Sequence, residues 1–265
     1  MKNLCLRLSA AALILASFAP AFPAAAEEAK PALVPATEKP ESEGAAGADA
    51  KPEAEAKAEI PPGLTEYKGR KIAQTMHWMA ADWLIRNRRE KEEAASVMLK
   101  QLKIQPGWTI CDLGVGNGYH AIPMALMAGE DGKVIGVDIQ PEMLKMLRDR
   151  AEAAGVGKRI IPVRGEIHDP RLEPNSLDLC LMVDVYHEFS HPEHMLAAIR
   201  KALKPKGRVV LVEFREEDES VPIKPEHKMS KKQILKELVP NGFKLVEEFD
   251  ELPWQHMMFF EKEGE

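Results

Sequence analysis

Short apolar runs alternate with amphipathic helical patterns over the second two-thirds of the chain. The apolar runs predict strands at residues 110–112, 133–139, 159–165, 177–185, 243–248 and 256–261. Residues 203–214 predict the end of a helix, a turn and a further strand. The helical patterns fall between them, at residues 118–128, 141–154, 192–203 and 230–240. Regular alternation of this kind predicts the α/β class, with a mostly parallel sheet and helices on both of its faces.

The stretch before the first strand has a different pattern, and residues 63–103 are predicted to be helical. Trp78, Ala81, Trp83 and Leu84 form an apolar cluster there. The dense charges of residues 86–93 predict a solvated, salt-bridged helix face.

The first strand runs into a glycine-rich turn, Ile-Cys-Asp-Leu-Gly-Val-Gly-Asn-Gly at residues 110–118. A strand, a glycine turn and a helix together bring the backbone close to a nucleotide-like ligand. The spacing does not match the dinucleotide fingerprint G-x-G-x-x-G. Counted from Gly114 that pattern needs a glycine where Tyr119 stands, and counted from Gly116 it ends on Ala121.

The pattern D-x-G-x-G-x-G at residues 112–118 resembles the first motif of class I S-adenosylmethionine-dependent methyltransferases. Further motifs follow in order. Asp138 ends the second strand, Glu166 follows the third, and Leu203-Lys204-Pro205-Lys206-Gly207 is similar to the family's L-K-P-G-G turn. The resemblance covers roughly residues 90–262. It implies a Rossmann-like sheet of seven strands with the seventh inserted antiparallel. The helical region of residues 63–103 looks by its own residues like a lid over the cofactor.

The same resemblance implies a set of cofactor-binding residues. Asp112 would bind the methionine amino group, Asp138 the ribose hydroxyls and Glu166 the adenine amino group, with Ile167 packed on the ring. Glycines would let the backbone approach the ligand. The remaining residues assigned to the cofactor are Gly114, Gly116, Gly118, Ile139, Val183 and Asp184.

Two candidate catalytic residues, Tyr186 and His187, follow the fourth strand, where this family places residues that face the transferred methyl group. A histidine there would accept a proton from the methyl acceptor. The alternative is that His187 packs under the following helix. No cysteine and histidine cluster has metal-ligand spacing, so no metal site is predicted.

The first 62 residues have the composition of a leader and a linker. Residues 1–26 combine Lys2 and Arg7 with an apolar run and a terminal Ala-Ala-Ala, as a cleaved signal peptide does. Residues 27–62 are rich in Ala, Glu, Pro and Lys and predict a disordered linker. The sequence therefore predicts an exported, periplasmic or secreted protein without a stable membrane span after cleavage. The alternative is membrane anchoring by an uncleaved leader.

The net charge of residues 63–265 disfavours one class of function, nucleic-acid binding. Removing the leader's +2 and the linker's −5 from the chain's net charge of −6 leaves −3 for residues 63–265. A domain so close to neutral lacks the positive charge that nucleic-acid binding needs.

Cys111 and Cys180 lie in predicted neighbouring strands. A disulfide is conceivable, but two buried thiols are favoured because a domain of this size has sufficient core without one.

The expected function is transfer of a methyl group from S-adenosylmethionine to a small-molecule acceptor. The motif set resembles the ubiquinone/menaquinone and type 11 methyltransferase groups and exported bacterial proteins with this domain. S-adenosylmethionine is made in the cytosol, which conflicts with export. That conflict motivates the alternative of a non-catalytic module that binds S-adenosylmethionine or a nucleoside. An NAD-dependent oxidoreductase is disfavoured by the glycine register.

Overall fold

The computed structural model describes residues 60–264. The predicted signal peptide and nearly all of the predicted linker lie outside the described residues, so both stay predictions. Within residues 60–264, no helix combines the length and the apolar character needed to cross a membrane.

The N-terminal part of the described chain begins with a hairpin, where the sequence predicted helix. The hairpin is formed by β1 (Glu66–Tyr67) and β2 (Arg70–Lys71), paired antiparallel. Lys68 and Gly69 join them with φ of 47° and 90°, the two positive values that a tight two-residue hairpin turn requires. The predicted helical character begins later, in a 3-10 helix (Trp78–Ile85), α1 (Arg89–Glu93) and α2 (Ala95–Gln101).

A large, mostly parallel sheet forms the centre of the fold. Its strands are β3 (Thr109–Leu113), β4 (Lys133–Asp138), β5 (Ile160–Arg164), β6 (Leu177–Val183), β7 (Leu203–Arg215), the short β8 (Lys228–Met229), β9 (Phe243–Phe249) and β10 (Gln255–Lys262). The order is β5-β4-β3-β6-β7-β10-β9, with β8 beside the end of β7. Strand β10 pairs antiparallel with both β7 and β9. The predicted fold class, including the inserted antiparallel strand, is confirmed.

Helices cover both faces of this sheet. They are α3 (Ala121–Met127), α4 (Pro141–Ala153), α5 (Pro192–Ala202) and α6 (Lys231–Leu238). Apolar side chains of α2, α3 and α4 belong to one buried cluster, and those of α5 and α6 belong to another. Each strand of the sheet interior is therefore buried from two sides, which explains the nearly continuous apolar runs in its sequence.

Two details of the sheet differ from or complete the predictions. Strand β7 already begins at Leu203, so the turn predicted at residues 203–207 lies within the strand. It forms a bulge against β6, between the pairs Leu177–Leu203 and Leu179–Arg208. Cys111 and Cys180 are direct neighbours on β3 and β6, and both are free, buried thiols.

Candidate active site

A cavity of about 640 Å³ opens at the carboxyl ends of the parallel strands. This volume lies within the range of small-molecule sites, and its position is where open parallel sheets bind ligands. The wall has two parts that differ in construction. The glycine half is lined by Gly114, Gly116, Val137, Asp138, Ile139, Gln140, Met143, Gly165, Glu166 and Ile167. The histidine half is lined by His187, Glu188, Phe189, Met195, Phe214, Pro222, Ile223 and His227.

The glycine turn after β3 leaves no room for side chains at two of its positions. Gly114 has φ of 76°, and a β-carbon there would lie 2.4 Å from Val185 Cγ2. Gly116 has φ of 53°, and its β-carbon would lie 2.6 Å from Leu84 Cδ1. Both positions require glycine for backbone conformation and for space, and both line the cavity.

The third glycine of the turn has a packing role. Gly118 is absent from the cavity wall, and a β-carbon on it would lie 2.4 Å from Leu147 Cδ1 on α4. Its φ of 84° also favours glycine. Gly118, which the sequence assigned to the cofactor, therefore serves the contact between the turn and α4.

Asp138 connects the end of β4 to the glycine turn. Its Oδ2 accepts a hydrogen bond from the Gly116 N–H at 3.0 Å, and its Oδ1 accepts one from the Gln140 N–H at 2.9 Å. Burial raises the pKa of this carboxyl above its usual value, although the backbone donors oppose the shift. Asp138 and Ile139 both lie on the cavity wall.

Asp112 lies beneath the turn and does not reach the cavity wall. It is 3% exposed, its carboxylate accepts the backbone N–H of Ala121 at the start of α3, and its Oδ2 has no partner among the described residues. Burial raises its pKa to about 7, with Asp138 adding to the shift and Arg89 opposing it. The structure therefore places Asp112 as a support for the turn and for α3.

The two residues predicted to meet the adenine lie on the wall after β5. Glu166 forms an ion pair with Arg171 and is largely exposed. Ile167 lies on the cavity wall and is 52% exposed, so its side chain is open to a ligand. An exposed isoleucine at this point is a ready surface for a flat ring.

Val183 and Asp184 also lie on the wall, at the end of β6. Asp184 adopts φ of 52°, and its Oδ2 accepts a hydrogen bond from Gln255 Nε2 at 2.8 Å. Burial raises the pKa of Asp184 well above its usual value, and the carboxylates of Glu93 and Glu213 add to the shift.

The two predicted catalytic residues lie in different places. The Tyr186 side chain is fully buried and absent from the cavity wall, and its ring centroid is 5.3 Å from that of Phe189. His187 lies on the wall and is 2% exposed. Only His187 of this pair is placed to contact a ligand.

Partners on both ring nitrogens hold His187 in position. Its Nδ1 lies 2.6 Å from Glu213 Oε2, and its Nε2 lies 3.0 Å from His227 Nδ1. Burial by itself would lower the pKa of His187, but the Glu213 carboxylate raises it above its usual value. Glu213 is fully buried on β7, and its other oxygen accepts the Tyr186 N–H at 2.9 Å.

Ligand-type side chains gather in the histidine half, where the sequence predicted no metal ligands. One ligand atom each from His187, Glu188 and His227 lies within 4.8 Å of the others. Glu188 is also mostly buried, and burial raises its pKa to about 7. Sequence spacing did not indicate this group because His227 follows His187 by 40 residues, on a separate 3-10 helix (Pro225–His227).

The predicted solvated charge run is partly buried, and this prediction was wrong. Arg89 and Glu93 are 5% and 2% exposed and line the cavity. Arg89 Nε lies 2.7 Å from Glu93 Oε2, and its Nη1 donates to the Leu84 carbonyl oxygen at 2.7 Å. The two residues are four apart and share one helix face, so the i, i+4 spacing beside the apolar Trp83 and Leu84 was the available signal.

The predicted lid contributes to the wall in part. Met76, Ala80, Trp83 and Leu84 line the cavity, whereas His77 and Trp78 do not. The 3-10 helix is joined to the glycine turn by Asn117, whose side-chain amide donates to the Ala81 carbonyl oxygen at 3.1 Å.

Comparisons with known proteins agree with this geometry. The model of the family described as "Methyltransferase domain" matches residues 104–260. The ubiquinone/menaquinone biosynthesis C-methyltransferase UbiE of Paraburkholderia phymatum is 29% identical over 156 residues, which are 56% of this chain and 62% of that protein. An uncharacterised transposon protein of Streptomyces fradiae is 35% identical over 118 residues, 44% of this chain and 33% of that protein.

A solved structure shows the same fold. The crystal structure of a SAM-dependent methyltransferase from Aquifex aeolicus matches with a TM-score of 0.66 and 22% identity, covering 70% of this chain and 98% of that one. The chain spans less than two-thirds of the length of the two curated relatives named above. The family match covers more than half of the chain and includes the glycine turn and Asp138. The chain belongs to the methyltransferase domain family, and its cofactor is S-adenosylmethionine.

Proposed function

We propose that this chain transfers a methyl group from S-adenosylmethionine to a heteroatom of a small, largely apolar acceptor that binds in the histidine half. The observation that carries the proposal is the continuity of the cavity. One space of about 640 Å³ joins the glycine turn and Asp138 to an apolar wall that bears His187. A cofactor and an acceptor bound in the two halves would therefore meet without an intervening wall.

The residues of the glycine half fit S-adenosylmethionine. Each oxygen of Asp138 accepts one backbone N–H and keeps a further lone pair, which suits the two ribose hydroxyls. A β-carbon at Gly114 or Gly116 would have no room in the turn that lines this half, and Ile167 presents an apolar face for the adenine. The bound cofactor supplies a methyl group that its positively charged sulfur has already activated.

The residues of the histidine half favour an apolar acceptor. Phe189, Met195, Phe214, Pro222 and Ile223 all lie on its wall. Such side chains exclude water from the acceptor, which is what methyl transfer needs more than covalent help from the protein. His187 is the polar wall residue best oriented to contact an acceptor heteroatom, because Glu213 fixes its ring.

Calorimetric titration of the full chain with S-adenosylmethionine and S-adenosylhomocysteine tests the cofactor half. We expect micromolar binding, reduced about 100-fold or more in Asp138→Ala, because charged hydrogen bonds to two hydroxyls contribute about 1.5–3 kcal/mol each. Asp149→Ala is the matched control, since that side chain is 64% exposed on α4. Absence of binding by a folded sample would refute the proposal.

Turnover separates an enzyme from a binding module of the same fold. We expect S-adenosylhomocysteine release when a panel of apolar hydroxyl, thiol and amine compounds is added, with formation of the methylated compound by mass spectrometry. Tight cofactor binding without turnover on any panel member would favour the non-catalytic alternative.

We also propose that the protein works outside the cytosol. Support comes from the sequence alone: the charged start, apolar run and Ala-Ala-Ala of residues 1–26. Cell fractionation and N-terminal sequencing of the mature protein test this. An intact N-terminus in the membrane fraction would support the anchored alternative.

A further inference from the structure

Three side chains of the histidine half form a group whose geometry suits a metal ion. Ligand atoms of His187, Glu188 and His227 lie within 4.8 Å of one another, and the two imidazole nitrogens are 3.0 Å apart. Two imidazoles bound at about 2.0–2.1 Å to one ion have nitrogens about 2.8–3.4 Å apart, for angles at the metal from about 90° to about 109°. The observed separation is therefore compatible with two neighbouring ligand positions on one ion.

The surroundings of His187 are those of a metal-binding histidine. Glu213 holds Nδ1 at 2.6 Å, so Nδ1 carries the proton and Nε2 presents its lone pair to His227 and the cavity. Glu213 is itself fixed, since it is fully buried and its second oxygen accepts the Tyr186 N–H. A carboxylate that orients a ligand histidine in this way is a regular partner in metal sites.

Within residues 60–264, Glu188, the carboxylate of this group, also lacks a lysine or arginine partner. Among the described residues, Glu188 has no ion pair with a lysine or arginine, and its Oε1 accepts the Met76 N–H at 3.2 Å. Arg70 comes close, but its guanidinium is paired with Glu237 and donates to the His187 carbonyl oxygen at 2.8 Å. Two carboxylates, the partly buried Glu188 and the fully buried Glu213, therefore lie beside two imidazoles, and a divalent cation bound to neutral imidazoles would balance their charge.

We infer that His187, Glu188 and His227 bind one first-row divalent transition-metal ion, whose open positions face the acceptor. Two imidazoles and one carboxylate match ions from Mn(II) to Zn(II) better than Mg(II) or Ca(II). The consequence for the acceptor rests on the proposed function. A metal on this wall selects acceptors with a hydroxyl or thiol, because coordination makes these groups lose their proton to solvent more readily. His187 is then a ligand and not the proton acceptor that the sequence suggested.

Zinc titration of the chelator-treated full chain tests this inference directly. We expect one equivalent of Zn(II) to bind, and Co(II) substitution to give visible absorption bands of a nitrogen- and oxygen-ligated site. His227→Ala should weaken binding at least about 100-fold, whereas His194→Ala, an exposed histidine outside the group, should leave it unchanged. Glu213→Gln should weaken it about 10- to 100-fold while leaving all three ligands in place.

Two results would overturn the inference. One is the absence of stoichiometric binding of Zn(II), Co(II) and Mn(II) to a folded sample, as checked by circular dichroism. The other is equal zinc affinity in wild type and His227→Ala, which would leave the two imidazoles as a hydrogen-bonded pair. Titration of the wild type with S-adenosylmethionine reports on the proposed function separately, so a failure of either one is distinguishable.

Discussion

The two halves of the cavity are built in different ways. The glycine half comes from turns that directly follow β3, β4 and β5, so each contributing residue lies within a few positions of a strand end. The histidine half joins His187 to His227, which lies 40 residues later, and the rest of the wall adds Thr75 and Met76 from more than 100 residues earlier. The first half follows from local backbone geometry, and the second depends on the assembled fold.

The chemistry of the two halves differs in the same way. In the glycine half, backbone N–H groups bind Asp138, and positive φ angles dictate glycine at positions 114 and 116. In the histidine half, side chains provide the polar groups, and many other side chains would be compatible with the same backbone. A cofactor shared by a whole family can be served by backbone, whereas an acceptor particular to one protein needs side chains.

The largest expected effect tests whether the N-terminal segment is an integral part of the wall. Arg89→Met should lower the free energy of unfolding by about 3–5 kcal/mol in urea denaturation. Glu93 would keep only Arg86 of its two arginine partners, and the Leu84 carbonyl oxygen and His120 Nε2 would lose the guanidinium beside them. Arg88→Met is the control, since that side chain is 81% exposed, and it should cost about 0.5 kcal/mol or less. Equal effects of the two substitutions would show that the segment is dispensable to the fold.

The second effect concerns the buried acid beneath the glycine turn. The folded-state pKa of Asp112 is about 7, above the value near 3.8 of an unperturbed Asp, so the folded state holds a proton that the unfolded state releases. Its contribution to stability therefore falls as pH rises from about 4 to 7, by about 1.4 kcal/mol per unit and about 4 kcal/mol in total. Asp112→Asn should remove this slope from the free energy of unfolding.

Urea denaturation of both proteins at several pH values from 4 to 8 measures the difference. Asp149→Asn, an exposed carboxylate on α4, should give a curve parallel to that of the wild type. Parallel curves for Asp112→Asn and wild type would mean that Asp112 titrates normally.

The third effect sharpens the claim that the glycine half is dictated by the backbone. Gly114→Ala should cost about 2–3 kcal/mol and weaken S-adenosylmethionine binding at least about tenfold, because it combines positive φ with a clash against Val185. Gly107→Ala has a similar φ of 81° with nothing within 4 Å, so it should cost only about 1 kcal/mol and keep the affinity. Equal S-adenosylmethionine affinities in the two variants would contradict the claim that the glycine turn needs glycine at position 114.

The smallest effect tests a single apolar contact. Ile167→Ala should weaken S-adenosylmethionine binding about five- to tenfold, or about 1 kcal/mol, through loss of apolar surface under the ring. Ile161→Ala removes an isoleucine of similar exposure, 42% against 52%, that lies on β5 outside the cavity wall. Calorimetry should find its affinity unchanged, and an equal loss in both variants would refute the adenine contact.

The same contrast explains what could be predicted from the sequence. The strands, the glycine turn and Asp138 were predictable from one sequence. Apolar runs indicate the strands, glycines indicate backbone with positive φ, and Asp138 stands directly at a strand end. The Lys68–Gly69 hairpin was missed because its two-residue turn was not recognised within a pattern taken as helical. The burial of Arg89 and Glu93 and the meeting of His187 with His227 could not be predicted, since each depends on contacts that form only when distant segments pack.

The position of β10 has a consequence for how the sheet folds during synthesis. Residues 255–262 form an interior strand between β7 and β9. During synthesis β10 follows both β7 and β9, so the edge of β7 stays unpaired until residue 262 has emerged. Pairing between distant segments is also slow to form. Because β7 and β9 meet only through β10, this side of the sheet is incomplete until β10 inserts between them.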